Sequence, residues 1–107
     1  IHFSKGSFQV LDDSSALPLG LFEEAEFDSA TCPCLVGESV LLYTDGIFEL
    51  PLFGHSSRYF SDFKMLAEAF ENEYSSPVRP QQFMTEVRSA LSRYVQNDDV
   101  NIIFVTF

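Results

Sequence analysis

The order of hydropathy patterns along these 107 residues predicts an α+β fold, an antiparallel sheet carrying two helices on one face. Three observations support this. Short runs with strand character occupy the first half, two stretches of helical spacing follow, and one last apolar run returns to strand character near the C-terminal end.

In order, Ser7–Leu11 alternates apolar and polar with period two, and Asp12–Ser15 has turn chemistry. Leu17–Leu21 is a short apolar run broken by Pro18 and Gly20, which predicts an edge strand or a structured loop. Glu26–Cys34 predicts a strand, closed by a turn at Val36–Glu38. Ser39–Thr44 is nearly continuous apolar sequence and predicts a central strand buried on both faces, ending at Asp45–Gly46. Phe63, Leu66, Ala67, Phe70 and Tyr74 recur at helical spacing, and Ser75–Pro77 ends that helix. Pro80 suits the first turn of a second helix with the stripe Phe83, Val87, Leu91, Tyr94 and Val95. Asn97–Asp99 breaks this helix, and Val100–Val105 predicts the final strand.

Twelve Phe and four Tyr supply enough large apolar surface for one small core, and the length suits a single domain. Six basic against sixteen acidic residues leave a net charge of −10. Such a chain repels nucleic-acid phosphates and anionic membrane surfaces, so neither is an expected partner. No apolar run reaches the eighteen or so residues of a membrane span.

Cys32 and Cys34 flank a single proline, too close for an unstrained disulfide and too few for a zinc site by themselves. On an extended strand they share one face, and they read as small, reduced, mostly buried core residues. Unpaired thiols suit a reducing cytoplasmic location. His2 and His55 show no carboxylate or cysteine partner at ligand spacing, and no G-x-S-x-G elbow is present for a serine hydrolase.

Two carboxylates stand out by position. Asp45 follows the most apolar strand and precedes Gly46, which permits a tight turn, and Asp98 lies just before the last strand. Antiparallel pairing of those strands would project both acids from one sheet edge. Oxygen donors on rigid strand ends suit a hard cation such as Mn²⁺ or Mg²⁺, although Asp-Gly and Asn-Asp-Asp are also ordinary turn sequences.

The stretch Leu41-Leu42-Tyr43-Thr44-Asp45-Gly46-Ile47-Phe48-Glu49 resembles the "LLYTDG" signature of bacterial type 2C protein phosphatases of the stage II sporulation protein E class. Other elements agree in order and spacing: Pro18-Leu19-Gly20 with the family's "PLG", Gly37-Glu38 with its "PGD" turn, and Asn97–Ile102 with its terminal "DDxT". The resemblance is strong over residues 17–50 and 97–107, and between them it rests mainly on pattern, with Pro80–Phe83 near the family's helix start. It implies an α-β-β-α sandwich with a two-metal centre at its edge. There a metal-activated water attacks phosphoserine or phosphothreonine in line. Carried over position by position, Asp45 and Asp98 ligate Mn²⁺ or Mg²⁺ and Gly46 supports the turn; Asp99 is a supporting or a solvated residue.

Residues 1–107 correspond in this comparison to the C-terminal portion of one phosphatase domain, without the N-terminal half and its metal aspartates. Asn101 stands where the family has Thr, and Ser61 where a Gly is common. The resemblance implies a phosphoserine protein as substrate, with an anti-sigma-factor antagonist as its expected identity. A chain lacking half the sandwich is expected to be inactive alone, to bind metal weakly and to self-associate as a homo-oligomer. The alternative is a degenerate, non-catalytic phosphatase module that binds a partner protein.

Overall fold

A computed structural model describes residues 1–12, 20–54 and 59–107. Its elements are β1 (His2–Ser4), β2 (Ser7–Gln9), β3 (Ser39–Tyr43), 3₁₀ turns at Asp45–Glu49 and Leu52–Gly54, α1 (Phe63–Tyr74), α2 (Pro80–Arg93) and β4 (Ile102–Thr106). The four strands form one antiparallel sheet in the order β2-β1-β3-β4. This is the α+β architecture expected from the sequence.

The hairpin β1–β2 turns through Lys5 (φ 46°) and Gly6 (φ 84°), the double positive-φ pattern of a type I′ turn, whose twist matches that of the strands. Leu41 exchanges both backbone hydrogen bonds with Ile1 at 2.8 Å, which fixes β3 beside β1. On the other side of β3 the register runs from Ser39 opposite Thr106 to Tyr43 opposite Ile102. Gly37 (φ 89°) lets the chain turn between Leu35 and Glu38 into β3, where the Glu38 amide donates to the Leu35 carbonyl at 3.0 Å.

Strand alternation places Phe3, Phe8, Leu41, Tyr43, Ile102 and Phe104 on one face, and both α-helices pack there. Phe63 of α1 touches Phe3, Phe8 and Tyr43, and also meets Phe83 of α2 with ring centroids 5.7 Å apart. Phe63, Phe70 and Phe83 are fully buried, each contributing about 1.5–3 kcal/mol relative to an exposed ring. Asp62 caps α1 by accepting the Met65 amide at 2.9 Å. Pro80 occupies the first turn of α2, as its fixed φ favours.

Three expectations need correction. First, Leu42 is 54% exposed, with Ile103 and Val105 beside it on the open face, so β3 is buried on one face rather than two. Second, Glu26–Cys34 forms no strand. Among the described residues the outer edges of β2 and β4 stay unpaired, so it is not lack of an edge that keeps this segment out of the sheet. It is tied down instead by contacts to Glu38 and His2, with the Leu35 amide donating to Glu38 at 2.9 Å and Cys32 Sγ 3.5 Å from His2 Nδ1. Third, the α2 stripe ends at Ala90 and half-buried Leu91 and Tyr94, while Val95 lies beyond the helix and is 88% exposed. The readings at 13–19 and at His55 fall outside the described residues.

Candidate functional site at the β3–β4 edge

Where β3 ends and β4 begins, the ladder continues past the strands. The Thr44 amide donates to the Asn101 carbonyl at 3.0 Å. The Thr44 hydroxyl donates to the Asp99 carbonyl at 2.8 Å and accepts the Asn101 amide at 3.0 Å. One threonine therefore fastens the loop before β4 to the turn after β3 by three hydrogen bonds. Because Asn101 takes part through its backbone alone, the exchange of Thr for Asn at that position leaves these bonds intact.

Asp45 opens the 3₁₀ turn directly after Thr44 and is exposed. The turn is anchored from below by Ile47 and Leu50, which are fully buried. Asp98 lies one residue before the carbonyl that Thr44 grips. Its Oδ1 accepts the Asp99 amide at 2.7 Å, which steadies the carboxylate and leaves Oδ2 free of a protein donor among the described residues. Asp98 also lines an open polar cleft of about 480 Å³ with Gln96, Asn97 and Asp99.

Gly46 joins the two segments by close approach, not through conformational freedom. Its φ is not in the left-handed region, in contrast to those of Gly6, Gly20, Gly37 and Gly54. A Cβ at position 46 would stand 2.6 Å from the Asp99 carbonyl oxygen and 3.1 Å from its carbon. The tight-turn role expected for Gly46 is thus replaced by a packing role. The structure brings the Asp45–Gly46 and Asp98–Asp99 segments side by side at one sheet edge.

The donor set suits a hydrated hard cation. Both aspartates are exposed oxygen donors, and among the described residues neither is paired with a basic side chain. Mg²⁺ and Mn²⁺ commonly bind through one or two carboxylates while keeping several waters.

Sequence reasoning overlooked Thr44, although a hydroxyl between an apolar strand and an acidic turn is a recognisable signal. It also assigned no partner to His2. Its Nε2 lies 2.9 Å from Glu38 Oε2 and its Nδ1 3.5 Å from Cys32 Sγ. Cys32 and Cys34 are free and half-buried beside it, not core residues of a strand. Glu38 is buried, and its carboxyl is held down to about 2 by hydrogen bonds from Ser4 and the Leu35 amide and by His2, against the opposing effect of burial.

Among the described residues, no helix is long and apolar enough to cross a membrane. Neither a curated protein nor a solved structure matched the chain. The family model of Stage II sporulation protein E matches residues 1–107. With the strand-end aspartates and their threonine staple in place, the chain belongs to the Stage II sporulation protein E family, a family of type 2C-like phosphatase domains.

Proposed function

We propose that this chain is the C-terminal portion of a metal-dependent protein serine/threonine phosphatase domain, contributing Asp45 and Asp98 to a Mn²⁺ or Mg²⁺ centre. The observation that carries this reading is the Thr44 staple, which holds the two aspartate-bearing segments together at the β3–β4 edge. When bound, the metal supplies an activated water and neutralises charge on the transferring phosphoryl group. Asp45 offers carboxylate oxygens from a turn pinned by buried Ile47 and Leu50. Asp98 offers Oδ2 while its Oδ1 is held by the Asp99 amide. Gly46 keeps the two loops in contact. The substrate proposed is phosphoserine on a signalling protein, with an anti-sigma-factor antagonist in a bacterial cytoplasm as its identity. Free Cys32 and Cys34 agree with that compartment.

The test is phosphate release from a phosphoserine protein by the intact domain with added Mn²⁺. Asp45→Asn and Asp98→Asn keep shape but remove charge from a hard-cation site, so each should lower turnover severely while circular dichroism stays unchanged. Wild-type turnover in both variants would reduce these acids to turn residues and favour a non-catalytic, partner-binding module.

A further inference from the structure

His2, Cys32 and Cys34 belong to neither the hydrophobic core nor the β3–β4 edge. Their ligand atoms all lie within 4.8 Å of one another, and among the described residues they are the single such group of three or more His, Cys, Asp or Glu side chains. From this geometry we infer a second metal site, in which His2 Nδ1 and the Cys32 and Cys34 thiolates bind Zn²⁺.

The geometry near His2 suits that ion. Zn–S and Zn–N bonds of about 2.3 and 2.0–2.1 Å in a tetrahedron set sulfur and nitrogen about 3.5 Å apart. Cys32 Sγ and His2 Nδ1 are separated by 3.5 Å. Cys34 Sγ lies 3.7 Å from the Cys32 carbonyl oxygen and within 4.8 Å of the other two ligand atoms. The histidine is already oriented as a ligand. Its Nε2, on the far side of the ring, meets Glu38 at 2.9 Å, so an Nε2–H donated to that carboxylate leaves Nδ1 with its lone pair toward the sulfurs. A carboxylate behind a ligating imidazole is the usual outer partner of a zinc histidine. Glu38 is itself fixed by Ser4 and the Leu35 amide, so it serves to orient and is not a fourth ligand.

Binding releases one proton from each thiol to solvent, and two thiolates balance the charge of the dication. Three protein ligands leave the fourth position to water. The ion would tie the 32–34 segment, which has no strand partner, onto β1 and through Glu38 onto the start of β3. Soft thiolates select Zn²⁺ here, while the carboxylate-only edge at Asp45 and Asp98 selects harder ions, so the two sites are chemically separable.

The experiment is a Co²⁺ titration of the reduced chain under anaerobic conditions, followed by Zn²⁺. One equivalent of Co²⁺ should produce thiolate-to-cobalt charge-transfer absorption, and Zn²⁺ should abolish it by displacement. Asp45→Asn/Asp98→Asn should leave the signal intact, which separates this site from the phosphatase reading. Glu38→Gln should weaken affinity about 10–100-fold while preserving the spectrum. Cys32→Ser/Cys34→Ser should remove the absorption. Because the chain has no other cysteine, a parallel measurement needs no variant: Zn²⁺ should protect two thiols of the wild-type chain from a maleimide. Absence of charge transfer, its persistence in the double-serine variant, or labelling unaffected by Zn²⁺ would each overturn the site and leave the 3.5 Å contact as an S–H···N hydrogen bond.

Discussion

Gly46→Ala is the sharpest test of how the aspartate-bearing edge is built. The added methyl would lie 2.6 Å from the Asp99 carbonyl oxygen, 3.1 Å from its carbon and 3.4 Å from Val100 Cγ2. The obstacle is backbone, and it cannot swing aside freely because the same carbonyl accepts the Thr44 hydroxyl at 2.8 Å. Either the loop before β4 shifts and loses the Thr44 bonds, or the Asp45–Glu49 turn lifts off its buried anchors Ile47 and Leu50. Over-packing of this kind costs about 1–3 kcal/mol. In a domain near this size, each kcal/mol lowers Tm by roughly 4–8 °C.

Thermal unfolding followed by circular dichroism measures the effect, and Thr44→Val identifies its route. If the clash acts through the Thr44–Asp99 bond, the two substitutions share their cost, and a double-mutant cycle should show a coupling of about 0.5–3 kcal/mol. A Gly46→Ala chain that melts with the parent would refute the close-approach account, since alanine has no conformational difficulty at this position.

Other measurements address the remaining features. Glu86 accepts the Phe53 amide at 2.8 Å and the Tyr74 hydroxyl at 3.0 Å, so Glu86→Ala should cost about 1–3 kcal/mol in urea unfolding by stranding both donors. Ser75 closes α1 at φ 51°, a left-handed conformation that costs a non-glycine residue roughly 1–2 kcal/mol, so Ser75→Gly should raise Tm. In the metal-free chain, Glu38 has its carboxyl lowered from 4.5 to about 2, so its stabilisation is full above the unfolded value and is lost as pH falls through that window. Urea midpoints measured across that range should fall more steeply for the parent than for Glu38→Gln. Exposed Leu42, Ile103 and Val105 on the open sheet face are expected to drive self-association; light scattering should show assemblies above the 12.1 kDa monomer at high concentration, and Leu42→Lys should reduce them.

What the sequence revealed about the fold depended on whether a signal was local. Both α-helices were legible because their apolar positions, with Pro80 opening α2 and Pro77 following α1, are properties of single segments. β3 and β4 were legible as apolar runs. Which faces they bury was not, because a strand cannot signal whether a second layer covers it: Leu42 and Leu41 are equally apolar in sequence, yet one is 54% exposed and the other fully buried. The 26–34 segment failed for a related reason. Alternation specifies two faces but no pairing partner, and the side-chain contacts that hold this segment, His2 with Cys32 and Glu38 with the Leu35 amide, are not readable from its own pattern. β1 was missed, although Lys5-Gly6 between two short segments was a usable hairpin signal.

The site followed the same division. The placement of Asp45 and Asp98 was readable because Asp45 follows β3 and Asp98 lies in the loop before β4, and antiparallel pairing of those strands carries both loops to one end of the sheet. Thr44 was less visible because its partners lie 55 and 57 residues away. The His2–Cys32–Cys34 cluster was invisible for a deeper reason. Cys-Pro-Cys lacks ordinary zinc spacing, and its third member comes from a strand 30 residues earlier. Glu38 supplies the connection: it begins the passage into β3, pairs with His2 across the sheet and accepts the amide of Leu35, the residue after Cys34. A single buried carboxylate thus sets the imidazole and the thiol-bearing segment against each other. Glutamine at 38 would keep the size but weaken both bonds, so it should disturb the thiol cluster while leaving the Thr44 staple, at the opposite end of β3, unchanged.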